Sequence, residues 1–318
     1  VDRLDEEYRE LLVTIEKLRR ILESTQVLIE TIIEELEEMK KKYGDLRRTV
    51  IMPEEGDIDY EDLIADEDVV ITLTNLGYIK RMPEGTYKPQ HRGGRGISSM
   101  TRNEGDFVTK LFVTSTLETI LFITTFGRIY RLQAYEIPSA SRQAKGTAII
   151  NLLDLDHGEQ IAATIPVSEV NEGDVLSLMT KHGYVKRTSF KEYENIRKGG
   201  IIAINLREGD MVIGAHQTTG DEEFMAVTRK GQAIRFLEED ARLMGRAAMG
   251  VTAINLQEED EVVSFVIAND DKTLAVFSQN GYGKRTKMSE YKCQNRGGKG
   301  LITYRVTEKT GDLVDARL

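Results

Sequence analysis

Along the first 43 positions the apolar residues recur at alternating steps of four and three, from Leu4, Tyr8, Leu11, Ile15, Leu18 and Leu22 through Thr25 to Ile29, Ile32, Leu36, Met39 and Tyr43. That step draws one apolar seam along a helix of coiled-coil type. Ser24-Thr25 can cap a new helix and Gly44 stands where a helix would stop, so the spacing predicts two helices, about 2–23 and 25–43. A seam needs a partner, and no other helical stretch of matching length follows. The expected partner is a second copy or a segment outside this sequence; the plainer alternative lays the helices on the domain that follows. The acid-rich stretch 45–67, with Pro53 and Gly56, reads as a linker.

From residue 68 the pattern changes from helical steps to short β-rich runs that repeat. Each run ends on a turn glycine, at Gly77, Gly127, Gly183, Gly231 and Gly281, spaced 50, 56, 48 and 50 residues apart. A second glycine follows at Gly96, Gly146, Gly200, Gly250 and Gly300. An acidic turn then recurs at Asp106, Glu159, Asp210, Asp260 and Asp312 before the next apolar strand. The turn glycines have a local role in hairpins that need positive φ. A unit of about 50 residues with short strands and no helical period matches one blade of a propeller-like ring, because blades bury their faces only against neighbours. The expected architecture is mainly β, a β-pinwheel over 68–318 preceded by a helical segment over 1–44.

Composition narrows the chemistry. The 318 residues carry one cysteine, Cys293, four scattered histidines and no tryptophan, which argues against a disulfide scaffold, a zinc site and Trp-Asp propellers. No apolar run reaches the ~18–20 residues of a membrane span, and no signal peptide is visible, so a cytoplasmic protein is expected. The net charge of −10 sits wholly in residues 1–66; residues 67–318 hold 33 basic and 33 acidic residues. Within the repeats the charge is unevenly placed. The five stretches from turn glycine to second glycine carry +4, +3, +3, 0 and +5, together +15. An arginine lies four residues after every turn glycine: Arg81, Arg131, Arg187, Arg235 and Arg285.

Equivalent positions in a ring fall on one rim, so these stretches are expected to form a basic band for a polyanion, best a DNA duplex bent around the perimeter. The candidate contacts are Lys80, Arg81, Arg128, Arg131, Lys145, Lys186, Arg187, Lys198, Lys284, Arg285, Arg296 and Lys299. Bending 20–30 base pairs by 40–90° costs on the order of 1–6 kcal/mol, so wrapping needs many phosphate contacts. Roughly ten neutralised phosphates would give a slope near −9 in log K against log salt. No recognition helix is visible, so phosphate and shape rather than base sequence are expected to be read. The repeat containing Glu238-Glu239-Asp240 is expected to be the weakest contact.

The strongest local motifs are Gln90-His91-Arg92-Gly93-Gly94-Arg95-Gly96 and Gln294-Asn295-Arg296-Gly297-Gly298-Lys299-Gly300. Glycines let the backbone approach a phosphate while the flanking cations add charge. Neither has P-loop spacing. Residues Gln90 to Gly96 resemble the seven-residue box of DNA gyrase A subunits, with His91 and Arg95 as departures. The helical seam ending at Tyr43-Gly44-Asp45-Leu46-Arg47-Arg48-Thr49 resembles the coiled-coil tail of the same subunits. The resemblance implies a six-bladed β-pinwheel that wraps double-stranded DNA with positive handedness for an ATP-dependent type II topoisomerase. It also implies a bacterial, nucleoid-associated setting, the partners being the gyrase B subunit, together with a second gyrase A subunit. Mg²⁺, ATP hydrolysis and the nucleophilic tyrosine would belong to other parts of that machine. No catalytic residue, cofactor or metal is expected within this stretch, and Tyr87 and Tyr291 are expected to pack or to flank DNA. His91 would bind phosphate better at lower pH. The rival readings are the matching domain of topoisomerase IV, which lacks a complete box, a protein-interaction propeller and, least supported, an independent enzyme.

Overall fold

The computed structural model describes residues 2–45, 49, 63–86, 105–167 and 170–318. The chain divides into two compact units, 1–58 and 59–318. In the first, α1 (Asp2–Glu23) and α2 (Thr25–Tyr43) are separated at Ser24, as the spacing predicts. The seam residues, Leu4, Leu11, Leu18, Ile29, Ile32 and Leu36 among them, are exposed. No helix among the described residues is long and apolar enough to cross a membrane.

Among its described residues the second unit holds nineteen strands in five antiparallel sheets. The first sheet contains β1 (Asp68–Thr74), β2 (Tyr78–Pro83) and β3 (Val108–Ser115), and the second β4 (Thr119–Thr124), β5 (Arg128–Gln133) and β7 (Ile161–Val167). The third contains β8 (Val175–Thr180), β9 (Tyr184–Ser189) and β11 (Val212–Thr218), and the fourth β12 (Glu223–Thr228), β13 (Gln232–Leu237) and β15 (Val262–Ile267). The fifth contains β16 (Thr273–Ser278), β17 (Gly283–Lys287) and β19 (Leu313–Arg317). In each, the first-named strand is central, and in the first four it is nearly buried throughout, which is why those segments read as continuous apolar runs. The five blades form a propeller-like ring, with β3, β7, β11, β15 and β19 lining a cavity of about 830 Å³.

The hairpin in each of the first four blades is built the same way. In the first, the Thr74 hydroxyl accepts the N–H of Tyr78 at 3.1 Å, and Gly77 takes φ +79°. Thr124, Thr180 and Thr228 do the same for Arg128, Tyr184 and Gln232. The recurrent acid closes the turn from the other side: Asp106, Asp210 and Asp260 each accept two backbone N–H groups.

Each of the first four sheets takes its outer edge from the following repeat. The two-residue strands β6 (Thr147–Ala148), β10 (Ile201–Ile202), β14 (Val251–Thr252) and β18 (Leu301–Ile302) pair with β2, β5, β9 and β13 of the preceding blade. Gly146, Gly250 and Gly300, each the second glycine of its repeat, make this crossing possible at three of these edges. A side chain at Gly250 would come within 2.7 Å of the Val185 carbonyl, and φ there is +82°. These glycines therefore serve backbone-to-backbone approach between blades. Among the described residues there are five blades where the resemblance implied six, and β17 has no donated strand beside it.

Candidate nucleic-acid interface

Because the donated strands lie at the sheet edge opposite the cavity-lining strands, the loops leading into them occupy the perimeter of the ring. Those loops and the ends of the strands they meet carry accessible cations. Arg131, Lys198, Lys284, Arg285 and Lys299 are exposed. Arg128, Lys145 and Arg296 are half-buried, with their charges tied into the same surface. Arg128 pairs with Asp156 at 3.2 Å and donates to the Gly199 carbonyl beside Lys198. Lys145 sits 4.0 Å from the centre of the Tyr78 ring, a cation–π contact between consecutive repeats. Arg296 donates to the carbonyls of Asp240 at 2.8 Å and Thr252 at 2.9 Å.

One cleft shows how the cations of neighbouring blades join. It is lined by Arg128, Gly200, Ile201, Ile202 and Arg246, so an arginine from the second blade and one from the loop on the third face the same space. Arg246 was missed in the sequence, as was Arg142, a partly exposed residue in the equivalent position of the second repeat. Both stand four residues before the second glycine of their repeat, as do Arg92 and Arg296. That shared offset was the signal that could have found them.

Three of the expected contacts are corrected by burial, and a fourth, Arg81, is partly engaged by carbonyls. Lys80 and Lys186 have no exposed surface, and their ammonium groups end on backbone carbonyls. Burial lowers the pKa of both, that of Lys186 to about 7. Arg187 is buried on Glu238, with Nε 3.0 Å from Oε1, and also donates to the carbonyls of Glu238, Ala241 and Gly220. Arg81, half-buried, donates to Ile137 at 3.0 Å and Tyr135 at 3.5 Å.

Arg235 behaves in the same way as Arg187. It pairs with Asp270 at 2.7 Å and with Glu223, and donates to the carbonyls of Met288 and Tyr291. The hydrogen bond it donates to Asp270 leads the causes that push the Arg235 pKa up. Ile137, Ala241 and Tyr291 all lie ten residues after a turn glycine. One side chain thus staples each blade to the next at the first, third and fourth seams. At Arg131 and Arg285 the same repeat position is exposed. The in-phase arginines are consequently not one basic stripe: three are interblade struts and two face solvent.

Glu238 is fully buried, so it lends no negative charge to the rim; only Glu239 and Asp240 of that trio are exposed. Tyr291 is buried with its hydroxyl 2.5 Å from that of Thr303, which makes it a packing residue. The box Gln90, His91, Arg92, Gly93, Gly94, Arg95 and Gly96, with Tyr87, lies outside the described residues. Among the described residues no group of three or more His, Cys, Asp or Glu side chains could hold a metal ion.

A strand-exchanged ring of antiparallel blades with cations concentrated on its outer edge defines a DNA-binding class of propeller. The chain belongs to the DNA gyrase C-terminal domain, beta-propeller, family, whose profile matches residues 68–115, 118–168, 174–219, 222–269 and 272–318, one match per blade. Along its whole length it is 51% identical to the DNA gyrase A subunit of Clostridium acetobutylicum, and over 98% of its length 45% identical to that of Staphylococcus epidermidis. The chain spans 38% and 36% of those two relatives. Its fold is similar to that of a DNA gyrase A C-terminal domain, with a TM-score of 0.65 and 32% identity over 79% of this chain and 82% of the other. It is equally similar to the C-terminal domain of a DNA topoisomerase IV, with a TM-score of 0.66 and 28% identity over 79% and 77%. The shape alone does not separate the two enzymes; the family profile and the curated relatives favour gyrase over topoisomerase IV.

Proposed function

We propose that the ring binds double-stranded DNA along its perimeter and wraps it, so that a type II topoisomerase of the gyrase kind, of which this chain is part, introduces negative supercoils. The observation that carries this reading is the rim cleft shared by Arg128 and Arg246, with the exposed Lys198 beside the Gly199 carbonyl that Arg128 bonds. It provides charge across a blade boundary, which a duplex following the edge requires. Recognition is through phosphates and is largely independent of sequence, because the cations sit on loops and short edge strands rather than on an element shaped for a groove. ATP and Mg²⁺ act elsewhere in the enzyme, and the partners are the gyrase B subunit, together with a second gyrase A subunit. The setting is the bacterial nucleoid in the cytoplasm. The box residues Gln90 to Gly96 are assigned to the same DNA path.

Titrating linear duplex DNA at several salt concentrations tests this function. The expected result is an affinity that falls steeply with salt, with a slope that drops by about 0.9 for each phosphate no longer neutralised in Arg131→Ala, Lys198→Ala or Lys299→Ala. Binding that is indifferent to salt, or unaffected by all three substitutions, overturns the reading and favours a protein-interaction ring.

A further inference from the structure

The two buried lysines occupy matching places. Lys80 and Lys186 each stand three residues after a turn glycine, in β2 and β9, beneath the loop that arrives from the next repeat. The Lys80 ammonium donates to the carbonyls of Arg142 at 2.6 Å, Ala144 at 3.0 Å and Ser141 at 3.3 Å. That of Lys186 donates to the carbonyls of Arg246 at 2.5 Å and Ala203. The Arg142 and Arg246 carbonyls are equivalent, each four residues before the second glycine. In both repeats that glycine lies over the lysine stem, where a methyl group would come within 3.2 Å and 3.4 Å of the lysine Cβ. The arginine backbone is thus held from below at the residue whose side chain leaves the rim.

That side chain is available for another partner. The Arg142 guanidinium makes no hydrogen bond or ion pair among the described residues, and Arg246 donates only to the Glu192 carbonyl, at 3.4 Å, beside Arg128 in the cleft. The fifth blade supplies the comparison. Lys284 holds the same repeat position and donates to the Thr303 carbonyl at 3.2 Å, equivalent to the Ala203 bond, yet it is exposed because no loop crosses β17 among the described residues. Burial of the lysine therefore accompanies the incoming loop. A buried ammonium is costly unless its protons are bonded, and here carbonyls of the loop satisfy them, so loop position and lysine position are coupled.

We propose that Lys80 and Lys186 are positioning residues of the DNA path: each fixes the rim loop of the following repeat and thereby presents Arg142 and Arg246 as phosphate-binding residues. The inference rests on the proposed DNA binding.

The test compares the full chain with Arg246→Ala, Lys186→Met and the double variant, measuring duplex binding across a salt series and thermal unfolding. Methionine keeps the stem and removes the ammonium. Arg246→Ala is expected to lower the salt slope by about 0.9, Lys186→Met to lower it by a similar amount while staying folded, and the double variant to be no weaker than Arg246→Ala alone. A Lys186→Met protein that melts lower but keeps the full slope overturns the positioning role, as does simple additivity in the double variant. If Lys186→Met does not fold, Lys80→Met against Arg142→Ala makes the same comparison, and failure of both lysine variants to fold also overturns the proposal. Absence of salt-dependent binding by the unmodified chain would instead sink the DNA-binding reading itself.

Discussion

Replacing Arg187 by methionine separates the two roles an arginine in this fold can have. The guanidinium is 3.0 Å from Glu238 Oε1 and donates to the carbonyls of Ala241 at 2.8 Å, Glu238 at 3.1 Å and Gly220 at 3.1 Å. Glu238 is buried in the fourth blade, where its carboxylate also accepts the Thr218 hydroxyl at 2.6 Å and the Ser177 hydroxyl at 3.3 Å. Methionine fills much of the arginine stem's volume but leaves that carboxylate buried without a cation and several carbonyls without donors. Breaking one side of a buried pair costs about 3–5 kcal/mol, and at roughly 2–4 °C per kcal/mol for a domain of this size the melting temperature should fall by about 6–20 °C. Adding Glu238→Gln in the same chain should recover much of that loss, because neutral groups do not carry the uncompensated charge. Scanning calorimetry of the single and double variants gives both numbers. Below the melting point, Arg187→Met should bind duplex DNA with the salt slope of the unmodified chain, since the buried arginine spends its donors on Glu238 and backbone carbonyls and has little surface to offer a phosphate. A loss under 1 kcal/mol, or a reduced salt slope in the folded variant, would refute the assignment of Arg187 to the blade seam.

Two further outcomes follow from local geometry. Glu259 has φ +57°, while the same turn in the other repeats uses Gly105, Gly158, Gly209 and Gly311 at φ of +70° to +83°. Glu259→Gly should raise stability by about 0.5–1 kcal/mol in urea unfolding, because relief of the left-handed strain exceeds the added entropy of glycine. Burial holds the Lys186 pKa at about 7 against an ordinary 10.5, with Glu192 opposing and Arg246 adding to the shift. Between those values the unfolded chain carries more protons than the folded one, so this lysine should make stability rise with pH from about 7 to 10, by up to about 1.4 kcal/mol per pH unit. Lys186→Met should flatten that rise; identical pH profiles for the two proteins would show the ammonium to be well solvated.

Much of the architecture was legible in the chain. The step from four-and-three spacing to short β runs divides helices from blades, and the break at Ser24 and the turn glycines mark where elements end. The exchange of outer strands was not legible, because a two-residue strand such as Val251–Thr252 has no periodicity to read and its pairing with β9 is set by the crossing at Gly250. The basic site was legible as a location rather than as a set of residues. Net charge counts Lys80, Lys186 and Arg187 equally with Lys198 and Lys299, but β2 and β9 are interior strands of their sheets, and the following repeat supplies the carbonyls and the carboxylate that receive these side chains. In Ile79-Lys80-Arg81-Met82 the charged pair is bracketed by buried apolar residues, which is the sequence trace of a strand with little solvent on either side.

The central claim is that the perimeter carries a continuous path on which a duplex coils, and the linking number of a closed circle measures that path directly. The chain is bound to nicked circular DNA, the nick is ligated, the protein is removed and the topoisomers are resolved. Wrapping predicts a shift in the positive direction that grows with protein added and shrinks when Arg128, Lys198 and Arg246 are replaced together by alanine. Tight binding that leaves the topoisomer distribution where relaxed DNA falls would contradict it.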